Sequence, residues 1–267
     1  MSLSLRKKNS PSLSTEPSDD GDVTVDADVD DPGYASRGAW KLAGALERMG
    51  GPRVAGRRCL DAGASTGGFT DVLLRAGAEH VVCADVGYGL LDWRLRTDAR
   101  VTVLDRTNVR LLQPADLPYS PELIVADLSF ISLELVLPAL MACADEGADL
   151  VPMVKPQFEV GREAVGAGGV VREIAPRIEA VRRIAATAYG MGWGTQAVAA
   201  SPLPGPSGNV EFFLWLRRGA PPPDDGRISL IRPLRCESFS TTMPENSSST
   251  SACTSSIGSK ICPASSR

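Results

Sequence analysis

Short apolar runs alternate along the central part of the chain with stretches in which apolar residues recur every three or four positions. The runs are rich in Val, Leu and Ile and too short for helices; they are residues 59–60, 81–84, 101–104, 123–126 and 150–154. Helical spacing is clearest at residues 70–76, 133–144 and 176–189. Strands of this kind that alternate with helices are typical of a parallel sheet covered by helices on both faces.

The pattern adds one element before this series and two after it. A helix is predicted from an N-cap at Ser36 to Met49, because a Gly-Gly-Pro turn follows. Two runs close the series, one around Val198 and one at residues 210–216, and only the loop 201–208 separates them. This loop is too short for a helical crossover, so the two strands should pair antiparallel. We therefore predict an α/β fold with a Rossmann-like, mostly parallel seven-stranded sheet whose last strand is antiparallel.

Composition divides the chain into three parts. Residues 1–33 hold three basic and eight acidic residues with almost no large apolar ones, and residues 219–267 become rich in Ser and Thr. Neither end can bury enough surface to offset the entropy of ordering. We therefore predict two disordered tails and one domain over residues 34–218. That domain contains 20 basic and 20 acidic residues, a balance that does not by itself indicate a nucleic-acid-binding protein.

The cysteines and the apolar segments restrict the class of protein. The six cysteines show no C-x-x-C spacing, which argues against a zinc site or a disulfide framework. No run reaches the roughly 18–20 apolar residues of a membrane helix, and the N-terminus lacks the apolar block of a signal peptide. We expect no bound metal, no membrane span and a cytoplasmic location.

A glycine-rich turn after the first predicted strand is the strongest chemical signal in the sequence. It reads Asp-Ala-Gly-Ala-Ser-Thr-Gly-Gly-Phe over residues 61–69. Glycine loops at this edge line the binding crevice of doubly wound sheets. The spacing G-x-x-x-G-G differs from the dinucleotide pattern G-x-G-x-x-G, so the loop should hold the amino-acid end of S-adenosylmethionine, as in methyltransferases with a Rossmann-like fold. The predicted contacts are Asp61, Gly63, Ser65, Thr66, Gly67, Gly68 and Phe69.

Two further acidic residues follow predicted strands. Asp85 comes after the second strand, where a carboxylate can accept both hydrogen bonds of a ribose diol. Asp105 follows the third strand, within reach of an adenine amino group. Acidic residues at strand ends are also common turn formers. Three of them at successive strand ends, one beside the glycine loop, favour a cofactor site.

Catalytic candidates must be found without histidine, because the single one, His80, begins the second strand away from the predicted crevice. After the fourth strand comes Asp127, with neither the Asn/Asp-Pro-Pro-aromatic turn of many amino-group methyltransferases nor a nucleophilic cysteine. Lys155 ends the fifth strand, and a buried lysine is costly unless it is paired. Asp127 is its natural partner and a further predicted cofactor contact, while Lys41 and Glu211, the latter in the last strand, can complete the cluster. From spacing alone, two structural salt bridges explain these residues equally well.

Several phrases of the sequence resemble the TlyA family, which is related to the FtsJ-type ribose methyltransferases and whose members have also been called haemolysins. These phrases are residues 36–42, 61–69, 125–132, 154–159, 168–171 and 201–211. The resemblance implies methyl transfer from S-adenosylmethionine to the 2′-oxygen of cytidine ribose, with ribosomal RNA or ribosomal subunits as partner. The Lys-Asp-Lys-Glu tetrad of that family falls on Lys41, Asp127, Lys155 and Glu211.

The resemblance does not extend to the N-terminal RNA-binding domain of the family, in whose place this sequence has the acidic residues 1–31. Three other functions stay open. A non-enzymatic haemolysin would need a membrane-spanning or cationic amphipathic segment, and the sequence shows neither. A cofactor-binding scaffold without catalysis fits the missing RNA-binding domain, whereas the glycine spacing disfavours a nicotinamide dehydrogenase. The sequence predicts neither the modified nucleotide nor the oligomeric state.

Overall fold

A computed structural model of the chain describes residues 33–224, 226 and 228. Within this range the helices are Gly38–Met49 (α1), Gly68–Arg75 (α2), Trp93–Arg96 (α3), Leu137–Cys143 (α4), Pro156–Glu159 (α5) and Ile174–Gly190 (α6). The strands are Arg58–Ala62 (β1), His80–Ala84 (β2), Val101–Leu104 (β3), Leu123–Ala126 (β4), Asp149–Val154 (β5), Trp193–Ala200 (β6) and Phe212–Arg218 (β7). Short 3₁₀ turns lie at Val109–Leu111, Pro114–Asp116, Leu133–Leu135, Arg162–Ala164 and Ala167–Gly169.

The strands form one sheet in the order β3-β2-β1-β4-β5-β7-β6. Strands β1 to β5 run parallel, whereas β7 runs antiparallel to both β5 and β6. The predicted Rossmann-like sheet with an antiparallel last strand is thereby confirmed. The chain leaves β1 on one side to form β2 and β3, then returns to form β4 on the other side. This reversal opens a crevice at the carboxyl ends of β1 and β4, where such folds bind ligands.

Helices cover the sheet on both faces, as the continuous apolar character of its strands requires. On one face, Leu60 and Ile124 pack in a core that includes residues of α4 and α6. On the other face, Val81 and Val125 pack with residues of α1 and α2. A slip of one residue would move each side chain into the opposite core, where it would meet neighbours of a different shape. The carboxyl ends of the strands are therefore held in defined positions.

The helices α2 and α6 each begin two residues earlier than the sequence predicts, and two other helices also differ from their predicted bounds. The N-cap of α1 is Arg37 rather than Ser36, whose hydroxyl instead accepts a hydrogen bond of 3.3 Å from the Gly38 N–H. The apolar stretch 133–144 is divided into a 3₁₀ turn and α4. Pro138 lies in the first turn of α4, the part of a helix that tolerates a residue without an N–H.

The last strand begins at Phe212, so Glu211 precedes β7 instead of lying within it. The reason is that the neighbouring strand β5 ends at Val154, and Pro156 then starts α5. Similarly, Lys155 follows β5 and occupies the N-cap of α5. Both residues thus lie at the edge of the sheet.

The two predicted tails fall mostly outside the described residues. Residues 1–32 lie outside them, as do most of 225–267, and their predicted disorder stays a prediction. Residues 219–221 belong to the predicted C-terminal tail, yet they pack against β6. The Thr195 N–H donates a 2.9 Å hydrogen bond to the Pro221 carbonyl, and Ala220 is buried. The packed region therefore extends beyond residue 218.

Candidate active site

The glycine-rich loop joins β1 to α2 and is packed too closely for larger residues. Gly63 and Gly67 have φ angles of 87° and 96°, in the left-handed region that glycine adopts without strain. A Cβ atom on Gly63 would collide with the carbonyl oxygen of Asp127, and one on Gly68 would collide with the Ser36 hydroxyl. These glycines therefore let the loop pack against Asp127 and the start of α1 more closely than any side chain would allow.

A cleft of about 230 Å³ lies over this loop. Among the predicted site residues, those that line it are Lys41, Gly63, Ser65, Thr66, Gly68, Phe69 and Asp127. The rest of its lining consists of Ser36, Arg37 and Gly38 at the start of α1, Ala64 of the glycine loop, and Pro204 and Pro206 of the loop before β7. The predicted residues outside the lining are Asp61, Gly67, Asp85, Asp105, Lys155 and Glu211. Most of the glycine loop and one residue of each predicted salt bridge therefore line the cleft.

Asp61 lies behind the glycine loop and is fully buried. Its Oδ2 atom accepts a 2.7 Å hydrogen bond from the Thr70 hydroxyl, whereas its Oδ1 atom has no partner in the described part of the chain. Burial raises the pKa of the Asp61 carboxyl to about 7, and the charges of Asp127 and Asp85 add to this effect. This position supports the loop from beneath, and direct contact of Asp61 with a cofactor stays a prediction.

Asp85 ties the glycine loop to the turn after β2. Its two carboxylate oxygens accept hydrogen bonds from the Ser65 N–H at 2.9 Å and from the Gly87 N–H at 2.7 Å. A carboxylate has about four lone-pair positions, so Asp85 keeps acceptor capacity for a ribose diol. Asp105 is paired with Arg96 at 2.9 Å, and this guanidinium lowers the pKa of the Asp105 carboxyl. An adenine amino group would share Asp105 with that arginine.

Lys155 and Asp127 form an ion pair at the carboxyl ends of adjacent strands. Lys155 Nζ lies 2.6 Å from Asp127 Oδ1 and donates a 2.9 Å hydrogen bond to the Ser129 hydroxyl. Lys155 is buried. The ion pair expected from the order of the strands is present, and its carboxylate residue, Asp127, lines the cleft.

Lys41 and Glu211 form the second ion pair. Lys41 Nζ lies 2.6 Å from Glu211 Oε2, and the two side chains are only 10% and 1% exposed. The loss of one partner from such a pair leaves the other charge buried, at a cost of about 3–5 kcal/mol. Lys41 and Asp127 both line the cleft, so each ion pair contributes one residue to it. Ion pairs that only joined structural elements would not need to lie at the same cleft.

The sequence reasoning missed an aromatic pair beside these residues, in which Phe130 is exposed and Phe158 is half-buried. Phe130 is 92% exposed, and its ring lies 5.2 Å from that of Phe158. Its φ angle is 63°, and a left-handed conformation of this kind costs a non-glycine residue roughly 1–3 kcal/mol. Phe130 follows Asp127 and Phe158 follows Lys155, so both rings belong to the two segments that carry this ion pair. A large apolar ring held in solvent by a strained backbone is a signal for ligand contact that only the structure reveals.

His80 lies at the amino end of β2, opposite the edge that carries the cleft. It is half-buried, and its ring nitrogens lie 2.8 Å from the Tyr119 hydroxyl and 3.2 Å from the Thr102 hydroxyl. The histidine therefore has structural partners and, as expected, lies away from the cleft.

Comparison with known proteins agrees with this arrangement. The family described as FtsJ-like methyltransferase matches residues 34–218. The chain belongs to the FtsJ-like methyltransferase family. The match covers the sheet, the glycine loop and all four residues of the tetrad, so the predicted membership of this class of enzyme is confirmed.

The chain is also similar to individual members of this family. It is 62% identical over 184 residues to "16S/23S rRNA (cytidine-2'-O)-methyltransferase TlyA" of Mycobacterium tuberculosis, a match that covers 69% of this chain and 68% of that protein. It is 35% identical to "Hemolysin A" of Brachyspira hyodysenteriae, over 67% of this chain and 75% of that protein. These relatives confirm the resemblance to the TlyA family.

A solved structure shares both the fold and the sequence. "Putative hemolysin from Streptococcus thermophilus" superposes with a TM-score of 0.71 at 38% identity, and the match covers 74% of each chain.

In the part of this FtsJ-like methyltransferase that the structure describes, none of the helices is both long and apolar enough to cross a membrane.

Proposed function

We propose that this FtsJ-like methyltransferase transfers a methyl group from S-adenosylmethionine to the 2′-oxygen of a cytidine ribose in ribosomal RNA. The observation that carries the proposal is the convergence of the Lys155–Asp127 and Lys41–Glu211 pairs on the cleft over the glycine loop. The name of the relative that is 62% identical supports the choice of ribosomal RNA and cytidine.

The residues around the glycine loop suit the cofactor. Gly63 and Gly68 leave no room for a side chain, so the backbone can approach the amino-acid part of S-adenosylmethionine. Asp85 is fixed by two backbone N–H groups and can accept the ribose hydroxyls. Asp127 places negative charge beside the loop, which suits a cationic sulfonium. Asp105 is the candidate partner of the adenine amino group.

Methyl transfer to a ribose hydroxyl requires that the hydroxyl be placed in line with the methyl group and that its proton be removed. When bound, S-adenosylmethionine supplies an electrophilic methyl group, whereas a ribose hydroxyl is a weak nucleophile until its proton leaves. In-line placement and general base catalysis are therefore the contributions expected from the protein. We assign Lys155 to orient the hydroxyl and to serve as the general base that accepts its proton. Asp127 positions Lys155, and the buried Lys41–Glu211 pair holds the hydroxyl from the α1 side.

The surroundings of the cleft suit an unpaired nucleotide. Sequence-specific RNA recognition uses splayed-out bases that stack on aromatic rings, and Phe130 presents such a ring to solvent. Three exposed arginines lack carboxylate partners in the described part of the chain; one of them, Arg37, lines the cleft, and we propose that the other two lie at its rim. The three are Arg37, Arg162 and Arg172. Their charges can neutralise RNA phosphates even though the domain as a whole is balanced.

The proposal is tested by methyl incorporation into ribosomal RNA, with cofactor affinity measured in parallel by calorimetry. Lys155→Ala should reduce the rate by at least about 100-fold, the contribution of a general base, while it changes cofactor affinity little. Asp127→Ala should lose activity and also bind the cofactor less well, because Asp127 lines the cleft. Asp98→Ala is the matched control, since Asp98 pairs with Arg100 on the surface. Near-normal activity of Lys155→Ala would show that the tetrad is a structural network.

A haemolytic activity is the second candidate, because relatives at 35% and 38% identity carry that name. Lysis of red cells by the purified chain, unchanged in Lys155→Ala, would support an activity independent of the tetrad. Absence of lysis at concentrations that saturate methyl transfer would count against it.

A further inference from the structure

The loop that carries Asp127 is held at both ends by α5 and the residue before it. At its start, Lys155 Nζ lies 2.6 Å from Asp127 Oδ1. At its end, the carboxylate of Glu159 accepts two hydrogen bonds. One comes from the Ser132 hydroxyl at 2.6 Å and the other from the Leu133 N–H at 2.9 Å. Glu159 thus closes the loop opposite the ion pair of the tetrad.

Glu159 is a buried acid, with only 4% of its surface exposed. The charged groups that face it are Arg183 of α6, 3.6 Å from its Oε2 atom, and Glu134 of the following 3₁₀ turn. Burial raises the pKa of the Glu159 carboxyl; Glu134 adds to this effect, and Arg183 opposes it. A buried carboxylate is costly unless it is hydrogen-bonded, and the bonds of Glu159 all fix the end of this one loop or join it to α6.

The loop needs such support because of its conformation. Phe130 adopts a left-handed backbone and projects its ring into solvent. A strained residue keeps its conformation only where the surrounding structure over-determines it. With the Phe130 ring outside the core, the constraint comes from the rest of the loop. Leu128 and Ile131 pack against the core, and Lys155 and Glu159 bind the two ends of the loop.

We propose that Glu159 is a positioning residue for methyl transfer, which fixes the loop 127–132 and thereby places Asp127 and Phe130 to receive the target nucleotide. This inference rests on the proposed function. Glu159 acts through Ser132 and Leu133 and has no assigned contact with cofactor or RNA.

The experiment compares Glu159→Ala and Glu159→Gln with the wild type in steady-state methyl transfer. Glu159→Ala removes both acceptors and should lower kcat/KM at least tenfold, with cofactor affinity within twofold of the wild type. Glu159→Gln keeps one acceptor and should recover most of the loss. Deuterium exchange should rise in residues 128–132 of Glu159→Ala while β4 and β5 stay protected. Glu179→Ala, an exposed acid paired with Arg182 on α6, is the control and should behave as the wild type.

The pH profile separates positioning from a merely structural contribution. Protonation of Glu159 at low pH should bring the rate ratio of wild type to Glu159→Gln toward one, because a protonated carboxyl resembles the amide. A kcat/KM of Glu159→Ala within twofold of the wild type would overturn the inference. If Glu159→Ala does not fold, Ser132→Ala should still lower kcat/KM severalfold, and an unchanged value would overturn it equally. An inactive wild type would contradict the proposed function instead.

Discussion

Asp61 gives the stability of the chain a pH dependence that can be worked out from its surroundings. The carboxyl is fully buried, with one oxygen bonded to Thr70 and the other without a partner in the described residues. Burial raises its pKa from an ordinary 3.8 to about 7. The folded chain therefore keeps a proton that the unfolded chain releases. Stability should fall as the pH rises between these two values, since the unfolded state binds fewer protons there.

The size of the effect follows from the shift. Each unit of pKa difference corresponds to about 1.4 kcal/mol. Between pH 5 and 8, the free energy of unfolding should therefore decrease by roughly 2–3 kcal/mol through Asp61 alone. In Asp61→Asn this contribution is absent, while the amide oxygen can still accept the bond from Thr70. Between pH 5 and 8, the free energy of unfolding of this variant should therefore decrease by roughly 2–3 kcal/mol less than that of the wild type.

Urea denaturation at about pH 5, 6, 7 and 8 measures the difference. Asp98→Asn is the control: the pKa of Asp98 is lowered by its bonds to Arg100, so it titrates below this window and should leave the slope of the wild type unchanged. Parallel stability curves for Asp61→Asn and the wild type would refute the reasoning, because they would mean that Asp61 is ionised at no cost in the fold.

Three further predictions concern the cleft and its surroundings. Asp85→Ala should weaken S-adenosylmethionine binding by about 1–3 kcal/mol in calorimetry, through lost charge-assisted bonds, and unchanged affinity would remove Asp85 from the site. Lys41→Ala and Glu211→Ala should each be severely impaired in methyl transfer, and the double variant should be little worse than either single one because the pair acts as a unit; simple additivity would contradict that coupling. Substitution by alanine of each exposed arginine near the cleft should lower the slope of log affinity against log salt for ribosomal RNA by about 0.7–0.9, whereas an unchanged slope would place that residue away from the phosphates. These arginines are Arg37, Arg162 and Arg172.

The parts of the fold that follow from apolar periodicity and from the chemistry of single residues could be predicted from the sequence. Apolar runs predicted the strands and their parallel order, and the partner of Lys155 followed because β4 and β5 are neighbours whose carboxyl ends meet. The glycine loop could be recognised in the sequence because Gly63 and Gly68 lie where a neighbouring segment packs directly against the backbone, so that only glycine fits.

Features set by contacts distant in the sequence were not predictable. The exposure of Phe130 depends on a left-handed backbone that Glu159, 27 residues after Ser132, helps to hold. Similarly, β7 begins after Glu211 because Pro156 ends the neighbouring strand. The burial of Asp61 could not be deduced from its place beside the glycine loop, since side chains of a strand alternate between directions that only the packed sheet defines.

The central claim, methyl transfer to cytidine ribose by the tetrad, is tested most directly in ribosomal RNA itself. Cells that lack the gene are complemented with the wild-type chain or with Lys155→Ala at equal protein levels, and their ribosomal RNA is digested to nucleosides for mass spectrometry. We predict additional 2′-O-methylcytidine with the wild type and none with the variant. Equal amounts of 2′-O-methylcytidine in both strains would contradict the account.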